Sequence, residues 1–149
     1  MPINDDAVQI RAKGWRTLAA LHGLIEAALE PALQAEHKLS VVEFTVLDVL
    51  SRQDGWHMRM QQLVRASGLS ASATTRLVNR LENRGLLSRL LCADDRRGIY
   101  TELTKDGLTL LKETRPTHDA VLETTIAQAQ QVPELAPLVA ALVDQQEEV

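Results

Sequence analysis

The pair of glycines at Gly68 and Gly85 constrains this chain more than any other feature, because of what precedes and follows each. Gln61 to Ser67 reads as a short helix with Leu63 and Val64 apolar, and Gly68 closes it as a C-terminal cap, with Leu69 packing behind. Ser70 is a good N-cap for a second helix that runs to Arg84, and Gly85 is its stop. Two helices joined by a tight turn containing glycine form a helix-turn-helix.

After Gly85 the pattern changes from helix to strand. Leu86-Leu87-Ser88-Arg89-Leu90-Leu91-Cys92 and Gly98-Ile99-Tyr100-Thr101-Glu102-Leu103 flank a charged tip, Ala93-Asp94-Asp95-Arg96-Arg97. Two short strands around such a tip predict a β-hairpin. Upstream, Ile10, Trp15, Leu18, Leu21, Ile25, Leu29 and Leu33 recur at helical spacing between Ala7 and Glu36. Pro31 should kink that helix or restart a short one near Glu30. Ser40-Val41-Val42-Glu43 is a capping box that opens a helix through Ser51. Downstream, Thr104 caps a helix from Lys105 to about Gln130 with an expected kink at Pro116, and Pro133 begins a last helix from Glu134 to Gln145. The expected fold is mainly α with a small β-hairpin.

Charge is distributed unevenly along the 149 residues. The whole chain carries a net charge of −4, but residues 57–104 hold 8 basic and 4 acidic side chains. All eight basic residues there are arginines, which suit forked contacts to phosphate and guanine. The flanks, 1–56 and 105–149, are both acidic. In the Ser70–Arg84 helix, Thr74, Leu77, Val78 and Leu81 share one face and should pack on the preceding helix. The opposite face carries Ser72, Thr75, Arg76, Asn79, Arg80 and Asn83, with Glu82 as the only carboxylate, at its edge. Hydroxyls, amides and guanidinium groups on one helical face suit base edges and phosphates in a major groove. Arg96 and Arg97 at the hairpin tip can enter a minor groove. Asp95 there either holds an arginine or closes the turn through its own backbone.

In order and spacing, Leu69-Ser70, then Thr75-Arg76-Leu77-Val78-Asn79-Arg80-Leu81-Glu82-Asn83-Arg84-Gly85-Leu86-Leu87-Ser88-Arg89, then Asp95-Arg96-Arg97, then Leu103-Thr104-Lys105-Asp106-Gly107 resemble the MarR family of bacterial transcriptional regulators. With Leu39-Ser40 and Val46-Leu47 upstream and Pro116-Thr117-His118 downstream, the resemblance covers nearly the whole chain. It implies one MarR-type domain over 1–149: a winged helix-turn-helix at 39–104, flanked by dimerisation helices at 1–38 and 105–149. It also implies a homodimer on a pseudo-palindromic operator in double-stranded DNA, acting as a repressor released by a small-molecule effector or an oxidant. By position, Ser70, Ser72, Thr75, Arg76, Asn79 and Arg80 fall on the recognition helix. Arg97 matches the family's wing arginine, and Asp95 the acidic residue that braces it. Three positions depart from the family. Arg59 stands where Ser or Thr often caps the first helix of the motif, so the cap is weaker or Arg59 contacts phosphate. Ala73-Thr74 replaces a frequent Thr-Val, and Lys38 replaces a frequent Gly.

Dimerisation is also expected without the family, since the first and last helices carry more apolar surface than one small winged helix covers. A two-fold dimer would set two recognition helices roughly 34 Å apart. Cys92, the single cysteine, ends a wing strand and reads as structural or incidental, and one cysteine fits a reducing cytoplasm. The four histidines lack metal-ligand spacing, so no metal or cofactor is expected. Trp15 and His22 read as interface packing, although relatives bind ligands near there. No nucleophile elbow, phosphate-binding glycine loop or cofactor turn points to an enzyme. No signal peptide or spanning segment points to a membrane. The competing expectation is a winged helix used for protein–protein contact with DNA binding lost, but Arg76, Arg80 and Arg97 survive here.

Overall fold

The computed structural model describes residues 3–91 and 98–144. Helix α1 (Ile3–His37) runs unbroken past Pro31, so the expected restart near Glu30 does not form. A proline inside a helix removes one backbone hydrogen bond and crowds the carbonyl four residues before it, yet the 35-residue helix continues on both sides of it. At the end of α1 the chain turns through Lys38 at φ 56°. The amide of Lys38 donates to the Gln34 carbonyl (3.1 Å) and that of Leu39 to Leu33 (3.4 Å). This left-handed exit is the conformation that glycine adopts without steric cost. Helix α2 (Val41–Ser51) follows with its capping box formed: the Glu43 amide donates to Ser40 Oγ at 3.0 Å, and the Ser40 amide to Glu43 Oε1 at 2.9 Å.

A single 3₁₀ turn at Asp54–Trp56 leads into strand β1 (His57–Arg59), helix α3 (Met60–Ser67) and helix α4 (Ala71–Asn83). Strands β2 (Leu87–Leu91) and β3 (Ile99–Leu103) form the expected hairpin, and helix α5 (Lys105–Gln130) continues through Pro116. Helix α6 (Ala136–Val143) begins later than expected, because Gln131, Val132 and Leu135 make turn hydrogen bonds back onto the end of α5 and its exit. The sheet is antiparallel in the order β1-β3-β2. Its third member, β1, was not expected. It pairs Met58 with Thr101 and Arg59 with Tyr100, using the free edge of β3.

The chain divides into two compact units. One consists of Met1–Ala32 with His118–Val149, the other of Leu33–Thr117. Leu33 and Leu111 join the core of the second unit. They pack with Leu39, Phe44, Leu47, Leu50, Leu63, Leu77, Val78, Leu81 and Leu103. Each such side chain stabilises the fold by roughly 1.5–3 kcal/mol when fully removed from water. The first unit has a smaller core of Leu21, Ala129, Leu135 and Val139. Among the described residues no helix is long and apolar enough to cross a membrane.

Candidate nucleic-acid interface

Helix α4 divides into the two faces its sequence implies. Thr74, Leu77, Val78 and Leu81 are buried, while Ser70, Ser72, Thr75, Arg76, Asn79 and Arg80 are exposed. Thr74 is a polar residue in the seam between α3 and α4, and its hydroxyl is fully used. It donates to the Ser70 carbonyl (2.9 Å) and lies 3.1 Å from the hydroxyl of Ser67. Ser67 in turn accepts from the Leu69 amide and donates to the Val64 carbonyl. Thr74 and Ser67 thus meet across the turn between α3 and α4.

Both ends of α4 are fixed. Ser70 Oγ accepts from the Ala73 amide at 3.2 Å, so this hydroxyl serves first as a cap. Thr75 spends its hydroxyl proton on the Ala71 carbonyl (3.0 Å) and offers the solvent lone pairs. At the far end Gly85 takes φ 74°. The Gly85 amide donates to Glu82 and the Leu86 amide to Leu81, both at 2.9 Å. This is the paired closure of a Schellman motif, with Leu81 and Leu86 both buried. Thr104 then ties the start of α5 to that exit. Its hydroxyl donates to the Gly85 carbonyl (2.7 Å) and accepts from the Gly107 amide (3.0 Å).

The arginines of this unit do different jobs. Arg84 donates to the Lys38 carbonyl at 2.9 Å and sits 3.7 Å from the buried Glu43. Arg59 provides no side-chain cap to α3; instead Gln62 Oε1 accepts from the Arg59 amide (3.3 Å). The Arg59 guanidinium lies over the Tyr100 ring, and its Nε donates to the Tyr100 hydroxyl at 3.0 Å. Arg89, on β2, reaches across to α4. Its Nε is 2.7 Å from Glu82 Oε1, and its Nη2 donates to Asn79 Oδ1. Glu82, the one carboxylate at the edge of the exposed face of α4, is therefore neutralised by Arg89 from β2. Among the described residues, Arg76 and Arg80 form no ion pair. Sequence reasoning missed Arg89, because spacing along the chain does not show which strand position faces a helix. Asp95, Arg96, Arg97 and Cys92 lie outside the described residues.

The MarR family model matches residues 37–98. AbsC, a MarR family transcriptional regulator from Streptomyces coelicolor, superposes with a TM-score of 0.74 at 32% sequence identity, over 87% of this chain and 86% of that one. The chain belongs to the MarR family. Among other members, the transcriptional regulator PecS of Dickeya dadantii is 32% identical over 103 residues, 68% of this chain. The chain spans 61% of the length of PecS. The MarR family regulator Sco3205 of Streptomyces coelicolor, solved in complex with DNA, has the same fold at 24% identity (TM-score 0.74, covering 97% of this chain and 86% of that one). The three strands and the α3–α4 pair described above are thus the MarR winged helix.

Proposed function

We propose that this MarR-family chain is a homodimeric transcriptional repressor that binds a pseudo-palindromic operator through α4 and the wing and is released by a small ligand. One observation carries the DNA-binding part: on α4, Arg76 and Arg80 stand exposed without a carboxylate partner among the described residues, while Glu82 beside them is occupied by Arg89. An exposed helical face with uncompensated guanidinium groups attracts a polyanion, and the hydroxyls and amides among them can address base edges. Ser70, Ser72, Thr75, Arg76, Asn79 and Arg80 are the proposed contacts of the recognition helix. Arg96 and Arg97 are the proposed wing contacts, with Asp95 bracing them. The uncovered apolar side chains of α1 support the homodimer. Repression and release by an effector follow from the family resemblance, and the chain's winged helix gives them a DNA-binding element to act through.

The test is an electrophoretic mobility shift with duplex DNA from upstream of its own gene. A retarded band that fades steeply as salt rises is expected, because bound arginines release condensed counterions. Arg97→Ala should weaken binding to all sequences and reduce the salt slope by about one. Arg76→Ala should weaken it by roughly 1–3 kcal/mol and also relax base preference. No retarded band at low salt would overturn this reading.

A further inference from the structure

Asn79 stands at the centre of the exposed face of α4, and its side chain is already engaged. Arg89 Nη2 donates to Asn79 Oδ1, while Arg89 Nε is held 2.7 Å from Glu82 Oε1. Both the Arg89 and Glu82 side chains are more than half covered, at 39% and 25% exposure. Asn79 and Glu82 lie three residues apart, so one guanidinium reaches both from the neighbouring strand. A guanidinium has only donors, and this fixes the orientation of the amide: the oxygen must face Arg89 and the nitrogen must face away.

The orientation matters for base reading. The bidentate contact of asparagine with adenine needs both ends of the amide, Oδ1 accepting from adenine N6 and Nδ2 donating to adenine N7. Here Oδ1 is directed onto the wing guanidinium, and the two N–H groups of Nδ2 are the ones turned away from it for a ligand. Guanine presents two adjacent acceptors in the major groove, N7 and O6, whereas adenine presents one acceptor, N7, beside the N6 donor, thymine one acceptor, O4, and cytosine a donor. We infer that Arg89 sets the base preference of Asn79: with its carbonyl turned onto the wing, Asn79 selects guanine, whose two acceptors meet its two N–H groups, over adenine, whose N6 donor would be left unmet. Arg89 is a positioning residue in this arrangement, and Glu82 holds Arg89 to the task. The inference rests on the proposed insertion of α4 into a major groove.

The experiment is selection of bound duplexes from a randomised pool by the full chain, at low salt, followed by sequencing. It is run with the parent and with Asn79→Ala, Arg89→Ala and Arg89→Lys, each checked for helix content by circular dichroism. Asn79→Ala identifies the base position that Asn79 reads. At that position the parent should favour guanine over adenine by about tenfold, the order expected for one discriminating contact. Arg89→Ala should move that position toward adenine and leave the other positions as they were. Arg89→Lys, which keeps the charge and a donor, should keep the parent preference and covers the case in which Arg89→Ala loses its fold. Enrichment of adenine by the parent, an unchanged preference in folded Arg89→Ala, or no position that depends on Asn79 would each overturn the inference while leaving DNA binding in place. A uniform loss of affinity in Arg89→Ala with no change in base preference would also overturn it, because it would make Arg89 a phosphate contact. If the parent retains no duplex, the DNA-binding reading itself falls, and this inference with it.

Discussion

At the scale of single residues, two positions in the winged-helix unit show how tightly backbone geometry governs residue choice. Gly107 packs its Cα against the exit of α4, so that a Cβ built there would lie 2.3 Å from the Leu86 carbonyl oxygen and 2.7 Å from Leu103 Cδ1. The Leu86 carbonyl cannot retreat, because it accepts from the Thr104 amide at 3.1 Å. Gly107→Ala should therefore lower stability by roughly 1–3 kcal/mol, the usual cost of overpacking. Urea unfolding followed by circular dichroism measures it, and an unchanged midpoint would remove the close approach as the reason for glycine. Lys38 is the opposite case, a side chain held at φ 56° where glycine would sit without strain. Replacing it relieves roughly 1–2 kcal/mol of left-handed strain and returns about 0.5–1 kcal/mol of chain entropy to the unfolded state. Lys38→Gly should thus raise stability by roughly 0.5–1 kcal/mol in the same unfolding experiment, and a loss would show that the Lys38 side chain contributes more than its backbone strain costs.

At the scale of elements, the helices were legible in the sequence and the joints between them were not. The period of apolar residues and the caps at Ser40, Ser70 and Thr104 gave α2, α4 and α5 their limits to within a residue or two, since capping chemistry is local. β1 was illegible because three residues hold no periodicity, and only the free edge of β3 makes His57–Arg59 a strand. Pro31 suggested a kink or a restart and Pro116 a kink, yet α1 and α5 each continue as one helix past the proline. The exposed face of α4 could be read from its spacing, whereas the grip of Arg89 on Asn79 and Glu82 depends on where β2 lies and could not. A similar joint fixes α2 to α5. Arg115 donates from Nε and Nη2 to Asp48 Oδ1 at 3.1 and 3.0 Å, and from Nη2 to Ser51 Oγ at 2.6 Å. Both partners are partly shielded, at 30% and 23% exposure. Asp48→Ala should cost roughly 1–2 kcal/mol, the range of a charge-assisted bond discounted for solvent screening. A double-mutant cycle with Arg115→Met should return a coupling of at least about 0.5 kcal/mol. Additive single effects would show that the pair contributes nothing as a pair.

At the scale of the whole molecule, the acidic flanks and the basic middle serve one purpose if the protein acts as a dimer. A single recognition helix supplies few contacts, whereas a two-fold pair reads two half-sites and gains from both. The first unit has the surface such a pair requires. Val8, Ile10, Trp15 and Leu18 on α1 are 53%, 69%, 68% and 48% exposed. Val8, Trp15 and Leu18 follow one another at spacings of seven and three, which places them on one stripe of the helix. Monomeric proteins rarely leave such a run of large apolar side chains in water, and a second copy of the same stripe would cover it. Placing carboxylates there should prevent that burial without touching the core of Leu21, Ala129, Leu135 and Val139. Trp15→Glu combined with Leu18→Glu should sediment as a monomer at concentrations where the parent is a dimer, with helix content retained. Because each monomer would then engage one half-site alone, its affinity for a two-half-site operator should fall by at least about a hundredfold, while its binding to an isolated half-site should match the parent's. A variant that still sediments as a dimer would place the interface elsewhere. A monomer with undiminished operator affinity would separate DNA binding from dimerisation, leaving the acidic flanks without the role of setting the spacing between recognition helices.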